Sequence, residues 1–206
     1  MRFPFLLASA IILFACSEER AIKVGLQPFD GFDQKLVDTV FNAIERTYGA
    51  KVYALKSEPI PKESFINVKS PRYRADKLIA ILKNQKSDTV DYIMGLTNED
   101  ISFTKTEAGE IKAPKSTYED WGIFGLGFRP GPSCVASTFR LGNKGQAVLI
   151  ERLKKVTIHE LGHNMGLEHC ESEFCVMKDA AESIKTVDLI EPQLCDRCKR
   201  KLSIIL

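Results

Sequence analysis

All three histidines of the 206-residue chain fall in one run of twelve residues, HELGHNMGLEHC, from His159 to Cys170. No other feature narrows the possible folds as much. His159 and His163 are four residues apart. On a helix of about 3.6 residues per turn that spacing separates them by about 40° around the axis and one turn along it, so both imidazoles can address one point. His169 lies six residues beyond His163, and a continuing helix would carry it to another face, about 9 Å along the axis. For all three to converge, the chain has to leave the helix after His163 and fold back. Gly166 stands where that reversal is needed, because a positive φ is least costly at glycine.

Three neutral imidazoles that leave a fourth position open to water form the open geometry of a catalytic zinc rather than a closed structural one. Glu160, beside the first histidine, is placed to hold the metal-bound water. It would take the proton of that water and deliver it to a leaving amine, as general base and then general acid. The competing reading is a helix with solvated histidines and no metal. A lone HExxH arises by chance on ordinary helices; HExxHxxGxxH in a chain with no other histidine is far more specific.

The remaining periodicities describe what carries this segment. Ile22–Leu26 reads as a first strand, and apolar residues from Phe32 to Tyr48 recur at helical spacing up to Gly49. Lys51–Lys56 alternates like a strand, followed by a proline-containing loop. Ser70-Pro71 predicts a helix start, with Tyr73, Leu78, Ile81 and Leu82 on its apolar face. Val90–Leu96, Gly122–Phe128 and Cys134–Leu141 read as strands, the last two joined by RPGPS. Gln146–Asn164 is a long helix pattern. The order β-α-β-α-β-β-β-α, then a loop-rich, cysteine-rich end, predicts an α/β (α+β) fold with one mixed sheet and helices packed on it.

The first fifteen residues, MRFPFLLASAIILFA, read as a signal peptide, and Leu13-Phe14-Ala15-Cys16 resembles a bacterial lipobox with Cys16 as the lipidated first residue. An ordinary secretory signal or a buried apolar segment are the alternatives. Residues 16–21 would then be a tether, with about five residues spanning at most roughly 17 Å and holding the catalytic lobe against the membrane. The 191 residues from Cys16 onward carry 28 basic and 27 acidic side chains, because Arg2 goes with the leader. That length suits one domain, and the even balance, without a basic stripe, argues against nucleic acid. Lys199, Arg200 and Lys201 read as a solvated helix face.

Of the other cysteines, Cys134 begins an apolar strand and reads as a small buried hydrophobe. Cys170, Cys175, Cys195 and Cys198 fall in the last 37 residues as C-x4-C and C-x2-C, spacings that suit four thiolates on a structural zinc. Two disulfides are the rival arrangement in an exported chain.

The string HELGHNMGLEHCESEFCVM, followed by seventeen residues and CDRC, resembles the archaemetzincins, a branch of the metzincin zinc peptidases. Every marked position of HExxHxxGxxHCxxxxCxM…CxxC is filled, and GIFGLGF and ASTFRL upstream are similar in character. The resemblance spans about Ile22 to Leu202. It implies a metzincin-like mixed twisted sheet with an active-site helix and a small cysteine-rich C-terminal lobe: one metallopeptidase domain over 22–206, with an upper lobe to about residue 165 and a lower lobe from about 166. It implies two zinc ions, a catalytic one on His159, His163 and His169 and a structural one on the four cysteines. Met177 becomes the Met-turn residue beneath the imidazoles, though an ordinary core methionine would look the same in sequence.

The expected function is therefore peptide-bond hydrolysis by a monomer on a peptide or protein substrate. The substrate would lie extended along an edge strand, for which Gly122–Phe128 is the candidate. The setting would be the bacterial cell envelope, with a lipid anchor in the membrane. A zinc-binding interaction module that has kept the site without the activity is the alternative, against which the intact Glu160 speaks. Other HExxH hydrolases take their third ligand from elsewhere, so His169 argues against them.

Overall fold

A computed structural model describes residues 21–142, 144–180 and 183–205. The leader, Cys16 and all of the tether but Ala21 lie outside the described residues. The chain runs β1 (Lys23–Pro28), α1 (Gln34–Tyr48), β2 (Lys51–Ala54), β3 (Phe65–Asn67), β4 (Pro71–Arg74), α2 (Ala75–Gln85) and β5 (Tyr92–Thr97). It continues with β6 (Ile101–Phe103), β7 (Thr106–Glu107), β8 (Glu110–Ile111), α3 (Lys115–Tyr118), β9 (Trp121–Ile123), β10 (Gly125–Gly127) and β11 (Ser133–Ser137). Helices α4 (Gln146–Asn164), α5 (Ile184–Leu189) and α6 (Asp196–Ile205) complete it.

The main sheet has the order β10-β11-β5-β1-β2, parallel except for β10, which pairs antiparallel with β11. Side chains of its central strands alternate between two cores, as the period of two requires. Met94, Leu96, Cys134 and Ala136 face α1 and α4, whereas Ile93 and Val135 face α2. Helix α1 forms where the spacing predicts it: Asp33 caps its start by accepting from the Lys35 N–H, and Gly49 ends it in the left-handed region. The Tyr48 hydroxyl at its last turn donates to the Ile158 carbonyl of α4 at 2.6 Å.

A second sheet, β3-β4-β6-β9, and the β7-β8 hairpin stand beside the mixed sheet. The helix predicted to start at Ser70-Pro71 is here a strand, and α2 begins only at Ala75. The reason is tertiary. Pro71 opens the strand, where its missing N–H costs nothing. Arg72 reaches Asp100 at 3.3 Å and Asp120 at 3.5 Å, and Arg74 donates to Thr104 and the Glu119 carbonyl. Acceptors so far along the chain leave no trace in a local reading. The expected strand Gly122–Phe128 is two strands, with Phe124 between them where the chain passes from the second sheet to the edge of the first. The expected strand Cys134–Leu141 closes at Ser137 and turns into a 3-10 helix at Phe139–Leu141.

Helix α4 has the predicted bounds. Beyond it no further strand occurs among the described residues, and the cysteine-rich end carries α5 and α6 rather than loops alone. Val176, Met177, Leu194 and Leu202 join that end to the core shared by β1, α1 and α4. No described helix is long and apolar enough to cross a membrane.

Candidate active site

Helix α4 brings His159 and His163 onto one face, and its N–H···O ladder ends as expected. Gly166 takes φ 88° and its N–H donates to the His163 carbonyl, which turns the chain back so that His169 meets the other two. One ring nitrogen of each histidine lies within 4.8 Å of the others, and the ring centroids are 4.5, 4.9 and 5.4 Å apart.

Each ring is oriented through its other nitrogen. Nδ1 of His159 meets the Val176 carbonyl at 2.8 Å, and Nδ1 of His163 meets the Leu167 carbonyl at 2.8 Å. A carbonyl only accepts, so both Nδ1 atoms carry the proton and both Nε2 atoms are left with a lone pair, the state a metal ligand needs. Nδ1 of His169 lies 3.5 Å from the Asp179 carboxylate. Burial lowers His159 to about 3, with the neighbouring His163 adding to it, and burial lowers His163 to about 4. These rings are neutral at pH 7. Three imidazoles aimed at one point, two of them held neutral by burial, therefore fit a divalent cation with nitrogen preference such as zinc.

Glu160 lies on the same helix, largely buried, and burial pushes its carboxyl up to about 8. Its cover is the edge strand. A Cβ on Gly125 would lie 2.7 Å from the Glu160 Cγ, and one on Gly127 would lie 2.7 Å from the Glu160 carbonyl oxygen. Glycine at both i and i+2 on one face of β10 is thus what lets this strand lie against α4. Asn164 at the end of α4 ties the two together, donating through Nδ2 to the Phe128 and Ser133 carbonyls. The result is a cleft of about 470 Å³ beside Glu160 and the three histidines, with apolar walls that include Trp121, Phe124, Leu126 and Val156. The outer edge of β10 has no strand partner among the described residues.

Met177 is fully buried beneath α4: a Cβ on Gly162 would lie 2.5 Å from its Sδ. Met165 and Leu167 pack in the core, as does Cys134, whose thiol burial pushes upward.

The other four cysteines converge on a second point. Their sulfurs lie within 4.8 Å of one another, with Cys170–Cys195 and Cys175–Cys198 each at 3.7 Å. A tetrahedron of thiolates about 2.3 Å from zinc has edges of about 3.8 Å, whereas a disulfide requires about 2.05 Å. The spacing fits a metal and not a pair of disulfides. The thiols also compete for charge. Burial opposes ionisation at Cys195, but hydrogen bonds from the Cys198 backbone and the neighbouring thiols outweigh it and bring Cys195 to about 7. Burial and the same neighbours push Cys198 well up. Four such thiols can ionise together only around a cation.

A reading of residue types alone misses the carbonyls of Val176 and Leu167, Asp179, and the role of Gly125, Gly127 and Asn164. The alternating glycines of GIFGLGF were the one available signal, since glycines recurring in a strand mark close approach of another backbone.

Comparison with known proteins agrees with this geometry. The chain matches the model of peptidase family M54 over residues 20–204. It is 30% identical over 169 residues to an archaemetzincin of Haloquadratum walsbyi, covering 78% of this chain and 87% of that protein. It is 30% identical over 184 residues to the archaemetzincin of Methanopyrus kandleri, covering 88% and 95%. The crystal structure of the Methanopyrus kandleri archaemetzincin superposes with a TM-score of 0.75 at 28% identity, over 92% of this chain and 98% of that one.

Proposed function

The chain belongs to peptidase family M54, the archaemetzincins, and is a zinc metallopeptidase; from that premise we propose how its residues divide the work. His159, His163 and His169 hold the catalytic zinc through Nε2, and Cys170, Cys175, Cys195 and Cys198 hold a second, structural zinc, giving two ions per chain. The catalytic ion, when bound, supplies Lewis acidity that activates water and polarises the scissile carbonyl.

The rest falls to the protein. The free edge of β10 pairs with the main chain of an extended substrate and lays its scissile bond over the histidines. Glu160 takes a proton from the attacking water on its carboxylate and returns it to the leaving nitrogen. Its low-dielectric setting suits both directions, because burial lifts it toward neutrality and a nearby dication draws it back. Trp121, Phe124 and Val156 keep bulk water from the site, and Met177 supports α4 from below.

The observation that carries this reading is the pair of Nδ1···carbonyl bonds at His159 and His163, which leave both Nε2 lone pairs facing the point where His169 arrives. The test is peptide hydrolysis by wild type against Glu160→Gln, with zinc measured in both. We expect about 10²–10⁴-fold lower turnover in the variant and the same zinc content. Equal turnover would remove Glu160 from the chemistry and leave a zinc-binding interaction module.

An N-terminal signal peptide and lipidation of Cys16 remain part of the proposal, on the strength of the leader's sequence. They would place the enzyme at the bacterial cell envelope. Loss of radiolabelled fatty acid and of membrane association in Cys16→Ser tests that.

A further inference from the structure

We propose that the cleft recognises a glutamate side chain beside the scissile bond, with Lys155 as the residue that reads it; the inference rests on the peptidase reading of the same site.

Lys155 lies on α4 four residues before His159, hence on the same face and about 6 Å away along the axis. It lines the cleft that holds His159 and Glu160, and the residue is only 8% exposed. Its ammonium donates to the Val187 carbonyl at 3.0 Å and the Asp188 carbonyl at 3.3 Å, in the last turn of α5. An ammonium has three donors, and two are used.

The neighbouring cation on α4 shows what is missing. Arg152, one turn nearer the start of the helix, is also buried and also reaches α5, but it binds both oxygens of the Asp188 carboxylate, at 2.6 and 2.7 Å. That carboxylate is occupied by Arg152, and Lys155 has no carboxylate within 4 Å among the described residues. A C-terminal cap on α5 explains two bonds to carbonyls. It does not explain a buried ammonium on the wall of a catalytic cleft whose hydrogen-bond acceptors are both neutral and whose nearby Asp188 carboxylate is already held by Arg152, because such a charge is costly until an anion meets it directly.

The surroundings specify the anion. Val156, Val187 and Ile190 line the cleft with Lys155, and Val187 touches its ammonium, so a ligand there has to bring an apolar stem and a terminal negative charge. Glutamate has both. Arg129 lines the same cleft, a second cation that an acidic substrate would meet.

The test uses binding, so that it does not depend on turnover. Zinc-loaded protein is titrated calorimetrically with two series of hydroxamate-capped dipeptides that place the varied residue on one or the other side of the metal. The varied residue is Glu, Gln or Leu, and each peptide is made with a free and an amidated C-terminus. In one series Glu is expected to bind about tenfold or more tightly than Gln, the size of a charge-assisted hydrogen bond. That ratio should fall to about 1 in Lys155→Met and persist in Lys155→Arg. Equal Glu and Gln affinities in both series would overturn the proposal from the wild type alone, whether or not Lys155→Met folds. So would a preference that follows the free C-terminus instead of the side chain, or a ratio unchanged in Lys155→Met. A protein that prefers the Glu hydroxamate yet cleaves no peptide would sink the peptidase reading and leave this one standing.

Discussion

The histidine cluster and the cysteine cluster are neighbours in the chain, His169 running directly into Cys170, yet they rest on different foundations. Two of the three histidines sit on a nineteen-residue helix backed by a five-stranded sheet, and they open onto a cleft. The cysteines join short segments around α5 and α6, three of the four are buried, and none of the four lies on a strand. The first site is built on a helix and sheet with an apolar core of their own; the second ties together short segments that reach that core only from one side. The two are nonetheless linked. Cys170 adjoins His169, and Cys175 adjoins Val176, whose carbonyl orients His159. The Cys170 N–H also donates to the Met177 carbonyl at 2.8 Å, closing the loop that carries both.

Removing one thiolate should break the comparison most sharply. With the proposed structural zinc on the four thiolates, Cys175→Ser should lose that metal, and with it binding energy on the order of 10 kcal/mol. Zinc content should fall, and amide exchange should accelerate over residues 166–205 while β1, β5 and β11 stay protected. Affinity at the histidine site should drop as well, read by competition with a chromophoric chelator. Equal protection in both regions before and after the change would mean that residues 166–205 stay folded without the full set of thiolates.

Met177 probes the floor between the two sites. Truncation to Ala should cost about 2–5 kcal/mol in chemical denaturation, whereas Leu should cost less than about 1.5 kcal/mol. If Leu also leaves histidine-site zinc affinity unchanged, Met177 acts as a shaped apolar support and its sulfur has no special part.

Gly125→Ala tests whether the edge strand belongs to the histidine side of the comparison. The added methyl meets Glu160 and the Val135 carbonyl, so β10 has to lift from α4. A stability loss of about 1–3 kcal/mol is expected, with a larger KM for peptides and little change in zinc content. A variant that keeps wild-type KM would dissociate β10 from substrate binding.

The smallest effect belongs to Tyr48→Phe, which removes one hydrogen bond between α1 and the carbonyl preceding His159. About 1 kcal/mol in a denaturant midpoint is expected, without loss of the cysteine-site metal, since the bond joins α1 to α4 and involves none of the four cysteines.

What could be read in advance follows this division. The bounds of α4, the reversal at Gly166 and the grouping of both ligand sets were legible, because each depends on spacing within a few residues of one backbone. Strand β4 was misread as a helix start because Ser70-Pro71 has the local form of one. Its actual state rests on Arg72 and Arg74 meeting residues 100–120. The break at Phe124 was invisible for a similar reason, since nothing in GIFGLGF says that its two halves join different sheets.

The sequence by itself determined the donor atoms and their number: three imidazoles, four thiols and one carboxylate beside the first imidazole, at spacings that permit convergence. Only the tertiary structure decided which nitrogen of each ring faces the centre, which strand covers Glu160, and that Arg152 has a carboxylate while Lys155 does not. Ligand identity is a property of side chains and shows in the residue letters. Orientation is set by backbone carbonyls, which every residue carries alike, and charge pairing by contacts between distant segments, so both emerge only on folding.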